Sequence, residues 1–341
     1  MDADLVLEGG GVKGIGLVGA YAALSEAGYR FHRIAGTSAG AIVGALIAAG
    51  MSPPELERVM SQIEYPRFED EGFVDRFGLP GKALSLMFEK GVYEGKFLRN
   101  WLDDILTRLG ARTFGDLRIV DPGSSLPPER AYKLVVMVSD VTRGELVRLP
   151  WDYPRYGLKA DDQLVADAVH ASMSIPFFFQ PAQLSGYDAR GKHVVSVLVD
   201  GGMLSNFPID AFDRTDGIPP RWPTFGLKLS ARPAASETQR FDVEGTFDLA
   251  RAMIGTMTNF HDQMHIDDPS VLARTMFIDS ERVKATDFGI DQPTQTILFD
   301  NGRNAAESFL VDWDVAHYVA KFRSGHMIDL TAGSSTRVDA G

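Results

Sequence analysis

Leu5-Val6-Leu7-Glu8-Gly9-Gly10-Gly11-Val12-Lys13-Gly14 and Ile34-Ala35-Gly36-Thr37-Ser38-Ala39-Gly40-Ala41 are two glycine-rich corners near the start of the chain. Each follows a short β-like run and opens an apolar, helix-like run, the strand–turn–helix pattern of an α/β sheet. The second corner matches G-x-S-x-G, a tight turn that pushes a serine Oγ outward for attack. The first offers backbone N–H groups just before a helix N-terminus, where negative charge is stabilised. A nucleophile beside an anion cradle is the outline of an acyl hydrolase.

Each corner has another reading. Ser38 could simply cap an ordinary helix. Gly9–Gly14 also fits G-x-G-x-x-G, the dinucleotide fingerprint. That fingerprint requires an acidic residue about twenty positions on to hold a ribose hydroxyl. Ala35-Gly36-Thr37-Ser38 stands there instead. Three successive glycines suit an oxyanion hole, because their amides can approach a developing charge closely.

A serine needs a base. His32 and His170 read as structural, the first beside a strand core and the second in a helix. His261 and His265 are spaced like a zinc-binding pair, but Asp262 stands where a zinc protease carries Glu. Asp200 is the stronger candidate. It follows the β-branched run His193–Val199 and precedes Gly201-Gly202, placing a carboxylate at a strand's C-terminal end. The bland alternative is a turn-forming Asp-Gly.

The pattern predicts strands at Leu5–Leu7, Phe31–Thr37, Ala131–Val138, Leu146–Leu149, His193–Val199, Phe225–Leu229 and Met276–Ile278. Helices are expected over Ile15–Ala27, Ala39–Ala49, Glu94–Leu109, Asp162–Ala171, Phe247–Met264 and Thr294–Phe322, the last breaking near Asp312. Ser52-Pro53-Pro54-Glu55 is a helix start, with Ser as cap and Glu reaching back. Residues 67–95 mix aromatics, glycine and charge without one period; they read as a helical insertion or a mobile cap over a lipid-sized cleft. Ala231–Glu244 reads as a loop and Thr331–Gly341 as a frayed tail.

At 341 residues, with 45% apolar and 23% charged residues, the chain has ample material for a core. Lys and Arg total 34 against 46 Asp and Glu, a net charge of −12. That balance argues against nucleic acid, which is bound largely through Lys and Arg at phosphates. There is no cysteine, hence neither disulfide nor thiolate nucleophile. The N-terminus lacks the basic flank of a secretory signal, and Ala39–Ala49 is too short to cross a bilayer about 30 Å thick. The expectation is a cytoplasmic protein, with peripheral membrane contact left open.

Gly9-Gly10-Gly11-Val12-Lys13-Gly14, Gly36-Thr37-Ser38-Ala39-Gly40, Ala171-Ser172-Met173-Ser174-Ile175-Pro176 and Asp200-Gly201-Gly202 together resemble the four blocks of patatin-like phospholipases, in the family's order. The resemblance implies a three-layer α/β/α fold with a central, mostly parallel sheet. It implies a Ser–Asp dyad, with Ser38 as nucleophile and Asp200 as base, and no metal or cofactor. Gly9, Gly10 and Gly11 would form the oxyanion hole. Lys13, Gly14, Gly36, Gly40, Gly201 and Gly202 would support the motifs, and Pro176, Phe177 and Phe178 are candidates for an acyl pocket. The motifs define a core over 4–215, with 216–330 continuing the same domain and 331–341 as a tail. The implied activity is phospholipase A or lysophospholipase hydrolysis of a lipid at a membrane or micelle surface, open to regulation by a partner or ligand. Left open are an esterase, thioesterase or acyltransferase with the same dyad, a nucleotide-binding module, and an idle scaffold.

Overall fold

Strand β1 (Asp2–Leu7) runs through the interior of an eight-stranded sheet and is buried from Ala3 to Leu7, as its nearly unbroken apolar run requires. On one side it pairs in parallel with β2 (Arg30–Thr37), which pairs in parallel with β3 (Leu134–Asp140). On the other it pairs in parallel with β7 (Thr224–Lys228), followed by β8 (Thr275–Phe277). Strands β4 (Glu145–Leu149), β5 (Ala182–Tyr187) and β6 (His193–Asp200) add antiparallel pairs beyond β2. The fold is α/β with a central, mostly parallel sheet.

This computed structural model describes residues 1–63, 95–188, 190–216, 218–230, 252, 256, 268–280, 283–285, 287 and 289–323. Nearly all of the 67–95 cap, the 231–244 loop, most of the 247–264 helix with His261, and His265 lie outside the described residues, as does the 331–341 tail.

The helices are α1 (Gly14–Glu26), α2 (Ala39–Ala48), α3 (Pro53–Ser61), α4 (Lys96–Arg108), α5 (Val165–Ser172), α6 (Pro269–Leu272), α7 (Gln292–Asp312) and α8 (Val315–Phe322). Helix α2 is buried at every position, which is why its sequence is apolar all round. The capping box forms at Ser52, whose backbone N–H donates to Glu55 Oε2 at 3.2 Å. The expected break falls after Asp312, where Asp314 accepts the His317 N–H at 3.0 Å and starts α8. Both faces of the sheet are covered. The Phe225 ring meets Tyr29, Phe309 and Trp313 at 5.0, 5.5 and 5.1 Å. Gly226, pointing the other way, leaves room for the Phe207 ring, 2.3 Å from where a Cβ would stand.

One edge of β3 positions the site. Strand β2 occupies it through Leu134–Met137 and ends with Thr37 opposite Met137. Strand β6 occupies the next stretch, with Asp200 opposite Val138 and Leu198 opposite Asp140. Strand β4 pairs with Val136–Asp140, overlapping both, and so takes the other edge. Strands β2 and β6 therefore meet head-on, and their final residues, Thr37 and Asp200, become neighbours although nearly half the chain separates them in sequence.

Candidate active site

Ser38 joins β2 to α2 at φ 52° and ψ −123°, a conformation that non-glycine residues rarely adopt and that costs on the order of 1–3 kcal/mol. Its neighbours make the corner possible. A Cβ on Gly36 would lie 2.4 Å from the Gly40 carbonyl oxygen, and one on Gly40 would lie 2.4 Å from that of Leu7. The corner thus presses directly on the end of β1. The Ser38 N–H donates to Ser172 Oγ at 2.9 Å, and Ser172 Oγ donates to the Met137 carbonyl at 2.6 Å. Thr37 Oγ1 donates to the Ser205 carbonyl at 3.1 Å. The strained turn is held from three sides.

Asp200 is buried at the end of β6. Its N–H donates to the Ser174 carbonyl at 2.9 Å, so Ser172 and Ser174 tie the two halves of the site together. Asp200 Oδ1 accepts the Gly202 N–H at 2.7 Å. Burial pushes the Asp200 carboxyl up to about 6, while the Ser38 hydroxyl and the Gly202 amide pull it down by favouring the ionised form. The Ser38 hydroxyl also lies 3.5 Å from Met173 Sδ. Among the described residues, no hydrogen bond joins a histidine to Ser38. Gly201 packs on the Met137 carbonyl, 2.3 Å from where its Cβ would stand.

The glycine loop lies against this pair. A Cβ on Gly9 would stand 3.0 Å from Ser38 Cβ. The Gly9 N–H, however, donates to the Asn206 carbonyl at 3.1 Å, and Asn206 Nδ2 donates back to the Gly9 carbonyl at 3.1 Å. This corrects the expectation that all three glycine amides face an oxyanion. Among the described residues only the amides of Gly10 and Gly11 lack an acceptor within this loop, since Val12 donates to Ala285 and Lys13 to Gly10. Gly11 has φ +55°, and a Cβ there would stand 1.9 Å from the Ala285 carbonyl oxygen. Lys13 closes the short turn Gly11–Lys13, half-buried, and Gly14 begins α1 against Ala39.

Three supporting residues escaped the sequence reading. Glu8, buried beneath the loop, pairs with Lys228 and accepts the Leu229 N–H. Asn206 Nδ2 also reaches Glu8 Oε1 at 3.4 Å. An acid directly after the apolar run of β1 was the available signal for Glu8; Asn206 offered only its position soon after Asp200. Pro176, Phe177 and Phe178 form a turn, with Phe177 at φ 72°. All three are half-buried, and Phe178 packs on the core. Among the described residues no cluster of three metal-ligating side chains occurs.

Residues 5–213 match the family model described as patatin-like phospholipase. The chain is 37% identical to the protein YqhO of Bacillus subtilis over 316 residues, covering 92% of this chain and 99% of that one. It is 27% identical to the NTE family protein MT2641 of Mycobacterium tuberculosis, over 62% of this chain and 28% of that one. Among solved structures it is similar to VipD from Legionella pneumophila, at 18% identity and TM-score 0.48. That match covers 91% of this chain and 66% of VipD.

Proposed function

The chain belongs to the patatin-like phospholipase family, and on that footing we propose that it is a serine-dependent lipid acyl hydrolase working through Ser38 and Asp200. The observation that carries the reading is the buried Asp200 carboxyl beside the Ser38 hydroxyl, with the Gly10–Gly11 turn on the same corner. Family membership supports lipid hydrolysis as the activity class. The dyad and the substrate are the proposal.

In the acylation step Ser38 Oγ attacks the ester carbonyl and its proton passes to Asp200. The carbonyl oxygen gains negative charge, which the Gly10 and Gly11 amides stabilise, an effect of about a hundredfold to a thousandfold per donor. The C–O bond to the leaving alcohol breaks, and that oxygen takes the proton from Asp200. Water then attacks the acyl-enzyme, gives its proton to Asp200, and fatty acid leaves as Ser38 recovers its hydrogen. An aspartate ordinarily titrates near 3.9 and is a weak base at neutral pH. Burial raises the basicity of this one, which favours proton transfer during attack.

Substrate enters from a lipid surface; no described helix is long and apolar enough to cross a membrane. Mass spectrometry of products from defined phospholipids, above and below micelle formation, tests the assignment. Fatty acid and lysolipid released above that threshold, and lost in Ser38→Ala, are expected. Turnover confined to soluble esters would replace phospholipase by esterase, and turnover retained by Ser38→Ala would reject the nucleophile.

A further inference from the structure

Toward the opposite end of the sheet from the glycine loop, five arginines converge on one cavity. Arg33 comes from β2, Arg214 and Arg221 from the segment between β6 and β7, Arg274 from the residue before β8, and Arg323 from the residue after α8. Asp4 of β1 shares its wall, five strand positions before Gly9, which at the rise of a β-strand is about 16 Å along the chain. The two regions are separate.

The chain carries −12 overall, yet the cavity wall holds five guanidinium groups and two carboxylates, Asp4 and Asp213, with Asp121, Asp216 and Asp268 beside it. Asp4 pairs with Arg33, Asp216 with Arg214, and Asp121 with Arg221. Asp213 serves two, meeting Arg274 at 2.6 Å and Arg323 at 2.7 Å. A guanidinium has five N–H donors, and these carboxylates do not use them all. Arg33 Nη1 and Arg274 Nε are buried without an acceptor among the described residues, on side chains whose residues are 8% and 2% exposed. Leaving charged donors unpaired out of water is unfavourable. Arg221 is also held flat, stacked 4.2 Å over the Trp222 ring, which itself stacks on His32 at 4.5 Å.

We propose that this arginine-lined cavity is a binding site for a phosphate-type oxyanion, carried by a small soluble molecule or by a lipid head group. A phosphate-type anion fits what the site offers: five arginine side chains on one wall, planar forks that recognise phosphate in pairs, and two buried guanidinium N–H groups without an acceptor. The binding is independent of the Ser38 corner.

The test uses the full chain with Ser38 blocked by a fluorophosphonate, and a second preparation unblocked. Inorganic phosphate and pyrophosphate are titrated calorimetrically against chloride of equal ionic strength. Vesicles of phosphatidylcholine, with and without phosphatidic acid, are cosedimented in parallel. Saturable phosphate binding is expected in both preparations, weakened about tenfold or more in Arg214→Ala/Arg221→Ala. The fork-removing but charge-keeping Arg214→Lys/Arg221→Lys should weaken it as well, and serves if the alanine variant fails to fold. Vesicle enrichment with phosphatidic acid assigns the lipid source; phosphate binding without it assigns the soluble one. No saturable binding of either anion or of the vesicles, or binding that survives in both variants, overturns the site.

Discussion

Asp200 carries a raised pKa for one reason, removal from water, against two groups that favour its charge. The sign of the pH dependence follows. In the proposed dyad Asp200 must be ionised to take the proton, so kcat/KM should rise with pH through about 6 and level above it. A pH profile flat down to about 4.5 would show that Asp200 is not the base. Stability runs the other way. The folded chain holds this proton more tightly than the unfolded one, so the site weakens folding as pH climbs from about 4 to above 6, by about 3 kcal/mol at the plateau. Asp200→Asn keeps an acceptor for the Gly202 amide and removes the buried charge. Urea unfolding should find it more stable than the parent at pH 8, with the gain vanishing near pH 4, while turnover is lost.

The elements that deliver Ser38 and Asp200 differ in how openly they are written in the sequence. Helix α2 is a continuous apolar run, and strand β2 turns apolar and buried only from Ile34 toward the glycine corner; both form within a residue of where the pattern places them. Strand β5 was missed because Ala182–Tyr187 alternates weakly, includes Gly186 and sits on the sheet's edge. The direction of β6 was equally hidden. A carboxylate at a strand's end was legible, but its antiparallel approach to β3 depends on pairing that no local pattern encodes. The Gly9 amide was misread for the same reason, since Asn206 lies far along the chain. Because the Asn206 side-chain amide holds the Gly9 carbonyl, Asn206→Ala removes that bond while keeping the backbone one, and should lower kcat about tenfold to a hundredfold with little change in KM. Equal effects on both constants would assign Asn206 to substrate binding instead. Gly40→Ala meets immovable backbone at Leu7 and should destabilise the chain by about 1–3 kcal/mol or more in thermal unfolding.

Across the whole molecule, sequence reading worked where function is concentrated in short motifs and failed where it is assembled from scattered residues. The four motif blocks each bring several residues together locally, so family and fold were readable. The arginine cavity draws on positions from 33 to 323 with no shared pattern, and only the folded sheet unites them. The head-on meeting of β2 and β6 is the same kind of fact: it converts two distant corners into one site. Intact-protein mass spectrometry after reaction with a fluorophosphonate probes that union most directly. The account predicts one adduct, mapped to the Ser38 peptide, absent from Ser38→Ala and formed about a hundredfold more slowly in Asp200→Asn. Labelling at full rate in Asp200→Asn, or an adduct on another serine, would contradict it.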